Sequence, residues 1–119
     1  MGVPAASEAR RAPRFRCRVM VEYECVKDFL VDYCANMSVG GMFIQTDHPL
    51  EPGTRFRLRF KIPDHEELIE TTGEVRWAVG ADAAGKMTPG MGIRFEDLDD
   101  TAAAAVDQWL TSWGAEEYP

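Results

Sequence analysis

From Phe15 to Cys25 the chain alternates so regularly that only an extended strand with one covered face makes use of the pattern. Phe15, Cys17, Val19, Val21, Tyr23 and Cys25 are apolar, and of the residues between and beside them, Arg14, Arg16, Arg18, Met20, Glu22 and Glu24, only Met20 carries no charge. Successive side chains of a strand point to opposite faces, so this stretch offers one face to a core and one to water. The same arrangement returns after Thr54, with Phe56, Leu58, Phe60 and Ile62 set against Arg55, Arg57, Arg59 and Lys61.

Weaker versions fill the intervals. After Lys27-Asp28, Phe29, Val31, Tyr33 and Ala35 read as the apolar face of a second strand, which Asn36-Met37-Ser38-Val39-Gly40-Gly41 interrupts with turn formers. Met42 to Thr46 reads as a third strand, and His48 to Gly53 as a loop. Ile69, Thr71, Val75, Trp77 and Val79 mark a long strand with Gly73 as a candidate bulge, and Met91, Ile93 and Phe95 mark the last. Short strands at this spacing predict a small antiparallel barrel or sandwich. Asp99 or Asp100 then caps a helix with the apolar stripe Ala102, Ala105, Val106, Trp109, Leu110 and Trp113, and Gly114 is placed to stop it. The helix is expected to pack across a mouth or side of the barrel, with its tryptophans in the core.

A chain of 119 residues holds one domain. Residues 1–9 read as a flexible lead-in and 114–119 as a tail. No apolar run approaches the ~18 residues of a membrane span, and the N-terminal arginines are not followed by the apolar stretch of a secretory signal. Both absences point to the cytoplasm. Cys17, Cys25 and Cys34 are too widely spaced for a zinc site and odd in number for a disulfide framework, so they read as buried reduced thiols. His48 and His65 lie in no recognisable nucleophile, metal or phosphate motif, and no enzyme or metal site is expected.

The net charge of −7 disfavours general nucleic-acid binding. It is unevenly spread: residues 1–21 hold five arginines and one glutamate, +4, while the remaining eight basic and nineteen acidic residues make −11. A cationic arm on an acidic body suits a local anion site, and equally a solvated tail. The arm contains Arg10-Arg11-Ala12-Pro13-Arg14, and arginine presents a planar fork of donors that fits phosphate oxygens or the O6/N7 edge of guanine. The second notable segment is Asn36 to Gly41. Asn36 both donates and accepts, Ser38 offers a hydroxyl, and Gly40 and Gly41 allow a ligand to approach the main chain. Alone, it reads as an ordinary Asx- or Ser-type turn, its glycines shaping the bend. Trp77 offers a ring for stacking on a base, but shares parity with Val75 and Val79 and is expected in the core. The Arg55/Arg57/Arg59/Lys61 stripe reads as a solvated face paired with Glu70 and Glu74.

Taken in order, Arg10-x-x-x-Arg14 and then Asn36-x-Ser38-x-x-Gly41 resemble the paired signature of PilZ domains, RxxxR followed by (D/N)xSxxG. Gly73-Glu74-Val75-Arg76-Trp77 and Gly90-Met91-Gly92-Ile93-Arg94-Phe95 look like later strands of that family, and the similarity covers residues 10–113. The resemblance implies a mainly β fold, a six-stranded antiparallel PilZ-like β-barrel with a C-terminal α-helix. It also implies cyclic di-GMP as ligand, with no further cofactor. The arginines Arg10 and Arg14 are expected on phosphate and guanine edges, with Arg11 assisting, and Asn36, Ser38 and Gly41 on a guanine and the sugar-phosphate ring. Arm closure is then expected to alter the surface shown to a protein partner supplied in trans. The alternative is a PilZ-like protein-interaction adaptor that needs no nucleotide.

Overall fold

In a computed structural model, residues 14–25, 28–63, 65–80, 88–112 and 117–118 are described. The elements are β1 (Arg14–Cys25), β2 (Asp28–Ser38), β3 (Gly41–Gln45), β4 (Arg55–Phe60), β5 (Ile69–Val79), β6 (Gly90–Phe95), α1 (Asp100–Ser112) and β7 (Glu117–Tyr118). Neighbouring strands run in the order β2-β3-β6-β5-β4-β1-β7, all antiparallel, and β1 also pairs with β2. That last pairing closes six strands into a barrel, which leaves fewer open edges than a sandwich. β7 adds two residues beside Arg14 and Phe15, within the segment 114–119 expected to be a tail.

Alternation does its expected work in β1 and β4. Val19, Val21 and Tyr23 from one, and Phe56, Leu58 and Phe60 from the other, lie in the core with Met42, Ile44, Val75, Met91, Ile93 and Phe95. Tyr23 sits 5.2 Å from Phe56, and Phe60 stacks on Phe95 at 6.0 Å. Each such side chain contributes about 1.5–3 kcal/mol on burial. The Tyr23 hydroxyl donates to Asp32 at 2.8 Å, satisfying a polar atom that burial would otherwise strand.

Three expectations need correction. In β2 the apolar alternation belongs to the outer face: Val31 and Tyr33 are exposed, while Leu30 and Cys34 meet the core. The register decides this, because Leu30 opposes Tyr23 and Cys34 opposes Val19. β2 also runs on through Asn36 and Ser38, so the turn is only Val39-Gly40. Gly73 is not a bulge. It pairs in regular register with Phe56 and Phe95, its side-chain space taken by Leu58 and Ile93, and β5 instead slips between Val75 and Trp77.

Asp99 caps α1, its Oδ1 accepting the Ala102 N–H at 2.8 Å. Val106, Trp109 and Leu110 enter the core, with Ala102 and Ala105 against it, as the apolar stripe predicts. The expected helix end at Trp113 and Gly114 lies outside the described residues.

Candidate functional site

The β2–β3 turn is stitched to the sheet beside it. Ser38 pairs with Gly41. The Gly40 N–H donates to Ser38 Oγ at 3.1 Å, and the Gly40 carbonyl accepts the Phe95 N–H at 2.9 Å. A Cβ on Gly41 would run into the Ile93 carbonyl, so β3 and β6 reach this spacing only with glycine here. Asn36 and Ser38 flank Met37, which is in the core, and therefore face outward. They are nonetheless closely covered, at 7% and 2% exposure.

Register extends this turn into two outer rows. In the first, Arg16 of β1 opposes Asn36, Asn36 opposes Phe43, Phe43 opposes Gly92, and Gly92 opposes Trp77. Five strands at a spacing of about 4.8 Å make the row roughly 19 Å long. In the second, Ser38 opposes Gly41, Gly41 opposes Arg94, and Arg94 opposes Glu74. β2 slips register against β3 between Cys34 and Asn36, and β5 slips against β6 between Val75 and Trp77. Each slip turns a residue outward that simple parity would send to the core, a known use of bulges beside functional sites.

Trp77 is the plainest case. Expected in the core by its parity with Val75 and Val79, it is 47% exposed. Its ring stacks on Phe43 with centroids 5.2 Å apart and planes 22° apart, and it lies over Gly92, where a Cβ would strike the indole. Phe43 in turn covers Gly90. Two glycines of β6 thus leave the floor on which two outer aromatics rest.

Charge completes the face. Arg14 opens β1 two residues before Arg16, with its side chain outside the described set. Arg10 and Arg11 lie outside the described residues altogether. Arg94 is about half exposed and pairs with Glu74 at 3.6 Å and Glu96 at 3.7 Å. Arg16, Phe43 and Arg94 carry no signal as site residues in the sequence alone. Alternation places Arg16 and Arg94 on the outer face, but their alignment with Asn36 and Gly41 depends on pairings between distant strands.

The opposite face differs. A groove of about 210 Å³ over β1 and β4, lined by Glu22, Glu24, Arg57, Arg59 and Glu70, is laced with ion pairs and lies away from both rows. Beside it, Asp97 accepts from the Thr71 hydroxyl and the Thr72 N–H, both at 2.6 Å, and meets Arg57 at 3.1 Å. The Thr71 and Thr72 hydrogen bonds, with help from Arg57, hold its carboxyl down at about 2. This cluster ties β4, β5 and the segment after β6 together.

No curated protein matches the chain. Among solved structures, the Bacillus subtilis inhibitor of motility (MotI/DgrA) is similar over 87% of this chain and 50% of its own, at 18% identity and a TM-score of 0.76. The chain therefore spans half the length of that protein. The PilZ domain of YcgR from Escherichia coli, solved with c-di-GMP, is similar over 87% of this chain and 89% of its own, at 17% identity and a TM-score of 0.67. At such identities these likenesses speak for the barrel with its C-terminal helix. The model of the PilZ domain matches residues 8–112, a span that includes the arginine arm, the turn at Ser38 to Gly41 and the helix, and the chain belongs to the PilZ domain family.

Proposed function

We propose that this chain is a receptor for cyclic di-GMP, bound on the outer face of the barrel across β2, β3, β6 and the end of β5. The observation that carries the reading is the row Arg16–Asn36–Phe43–Gly92–Trp77, which sets a motif residue, a cation beside the arm and a ring in one line. The ligand has two phosphates and two guanines, and the row offers chemistry for both. Arg10, Arg11 and Arg14 supply charge-assisted hydrogen bonds to phosphate and to the guanine edge. Asn36 and Ser38 offer short polar groups at the seam, Gly40 and Gly41 bring main chain within reach, and Trp77 offers a ring face. Since Asn36 and Ser38 are nearly covered, the ligand lies on the surface and meets their edges. Closing the arm costs conformational entropy, which the phosphate contacts offset. The closed arm changes the surface that a partner protein meets. The reading contains no catalytic step and places the protein in the cytoplasm, acting on motility or related signalling. The motility inhibitor among its structural neighbours supports that direction, and the YcgR domain, solved with c-di-GMP, supports the ligand.

The test is isothermal titration of the full chain with cyclic di-GMP, with GMP as control and Arg14→Ala alongside. Saturable binding weakened at least tenfold in the variant is expected, as for losing a hydrogen bond to a charged group. Equal binding by parent and variant sinks the arm mechanism, and no binding by the parent sinks the ligand.

One observation favours a second reading, a nucleotide-independent adaptor. Met20 opposes Tyr33 on the outer face of β1 and β2, Val31 lies nearby opposite Glu22, and all three apolar side chains are exposed. Arg18 stacks on Tyr33 at 4.1 Å from the ring centre. A parent that ignores cyclic di-GMP, together with loss of a partner on Val31→Asp, is the outcome that puts this reading first.

A further inference from the structure

Cys17 of β1 and Cys34 of β2 meet at the place where these strands slip register. Cys34 is buried in the core, Cys17 is partly exposed beside it, and their sulfurs lie 3.5 Å apart. A disulfide needs about 2.05 Å, so the two sulfurs have only about 1.5 Å to close. The slip falls between Arg16 and Val19, where two residues of β1 stand against one of β2. Such a stretch adjusts more readily than a regular ladder. Cys25 is no competitor within the fold. It pairs with Asp28 at the far end of the hairpin, eight residues along β1 from Cys17, or roughly 26 Å at strand rise.

We infer that Cys17 and Cys34 form a reversible intramolecular disulfide, making the β1–β2 seam a thiol-oxidation site. The oxidant is a small-molecule disulfide of the glutathione class. The more accessible Cys17, as thiolate, attacks one sulfur of the oxidant, forming a mixed disulfide and releasing one glutathione thiolate. Cys34, as thiolate, then attacks the Cys17 sulfur, forming the Cys17–Cys34 bond and releasing the second glutathione thiolate. The two protons lost by the cysteines end on the two released thiolates, so two protein thiols are oxidised and one disulfide is reduced to two thiols.

The consequence is local. Cys17 adjoins Arg16 and Cys34 lies two residues before Asn36, the pair that opens the outer row. A covalent link fixes the spacing of β1 and β2 directly beneath that pair. The inference does not depend on the proposed ligand, and its test uses no nucleotide.

The experiment takes the full chain carrying Cys25→Ser through a series of glutathione redox buffers, blocks remaining thiols by alkylation in acid, and maps the peptides. The expected result is a peptide pair linked through Cys17 and Cys34, lighter by two hydrogens and restored by dithiothreitol. Amide exchange at Ala35 to Ser38 is expected to slow about tenfold in the oxidised form, since the link suppresses local opening of the seam. In a further Cys34→Ala variant the reaction stops at a glutathione adduct on Cys17. Should that variant fail to fold, Cys17→Ala serves instead, with Cys34 then left unmodified in the folded protein. Persistence of both alkylatable thiols overturns the inference. So does a stable glutathione adduct in the Cys25→Ser protein, or a link found only between two chains.

Discussion

Over β4 and the first half of β5 the outer face is a lattice of ion pairs, whereas over β2, β3, β6 and the end of β5 it is built from missing side chains. Arg55 holds Glu96 at 2.9 Å, Arg59 holds Glu22 at 2.9 Å, and Arg57 holds Asp97 at 3.1 Å. A ligand arriving there must compete with carboxylates already in place. On the second face Gly41 lets β3 and β6 close up, and Gly92 lets Trp77 lie flat. Ring faces and main chain are what such a surface presents, and both suit a flat, anionic ligand with base edges. Both faces alternate in the same way along their strands. What separates them is what fills the outer side: charged pairs over β4, glycines and rings over β3 and β6, with Arg94 held by Glu74 and Glu96 where the two meet.

The most damaging break of the second face is Gly41→Val. Its Cβ meets the Ile93 carbonyl, a backbone atom that moves only with its strand. Destabilisation of about 3 kcal/mol is expected from overpacking of this kind, read as a lower urea midpoint with unchanged slope. An unchanged midpoint would show that β3 and β6 separate freely. Next comes Trp77→Ala, which removes a half-exposed ring and little core. Cyclic di-GMP affinity is expected to fall about tenfold, in line with the loss of one stacked base, while the thermal midpoint stays nearly level. The reverse pattern, lost stability with intact affinity, would return Trp77 to a purely structural role.

The ion-pair face sharpens the contrast with smaller numbers. Asp97→Asn is expected to cost about 1 kcal/mol at pH 7, since the site is half exposed and its hydrogen bonds are only partly lost. Its carboxyl titrates near 2 in the fold, below its ordinary value of 3.8. The stabilisation is therefore complete above about 4 and disappears as pH falls towards 2, so parent and variant converge in acid. Denaturant melts at pH 7, 4 and 2.5 check this, and a constant gap would remove the carboxylate from the account. Smallest is Arg59→Ala, within about 0.5 kcal/mol as for exposed pairs generally and without effect on ligand affinity. A tenfold loss of affinity there would erase the distinction between the faces.

Legibility followed the same division. The core faces of β1, β4 and β6 and the cap and stripe of α1 were readable because burial imposes a period on neighbours in sequence. In β2 that rule misled, since Val31 and Tyr33 are apolar yet exposed. Only pairing with β1 selects Leu30 and Cys34 for the core. Of the candidate site, the motif residues Asn36, Ser38 and Gly41 could be named in advance, and the seating of Gly40 against Phe95 and of Gly41 against Ile93 could not.

The sequence by itself determined that strands with one apolar face must close on a core, that a capped helix follows them, and that a cationic arm precedes an Asn-Ser-Gly motif. Each of these is a matter of local period, local charge or local backbone freedom. Tertiary structure alone decided that Arg16, Asn36, Phe43, Gly92 and Trp77 form one row, and that Cys17 faces Cys34. Those relations depend on register between strands far apart in the chain. A slip of one residue reverses every side chain beyond it, and local sequence carries no record of where such slips occur.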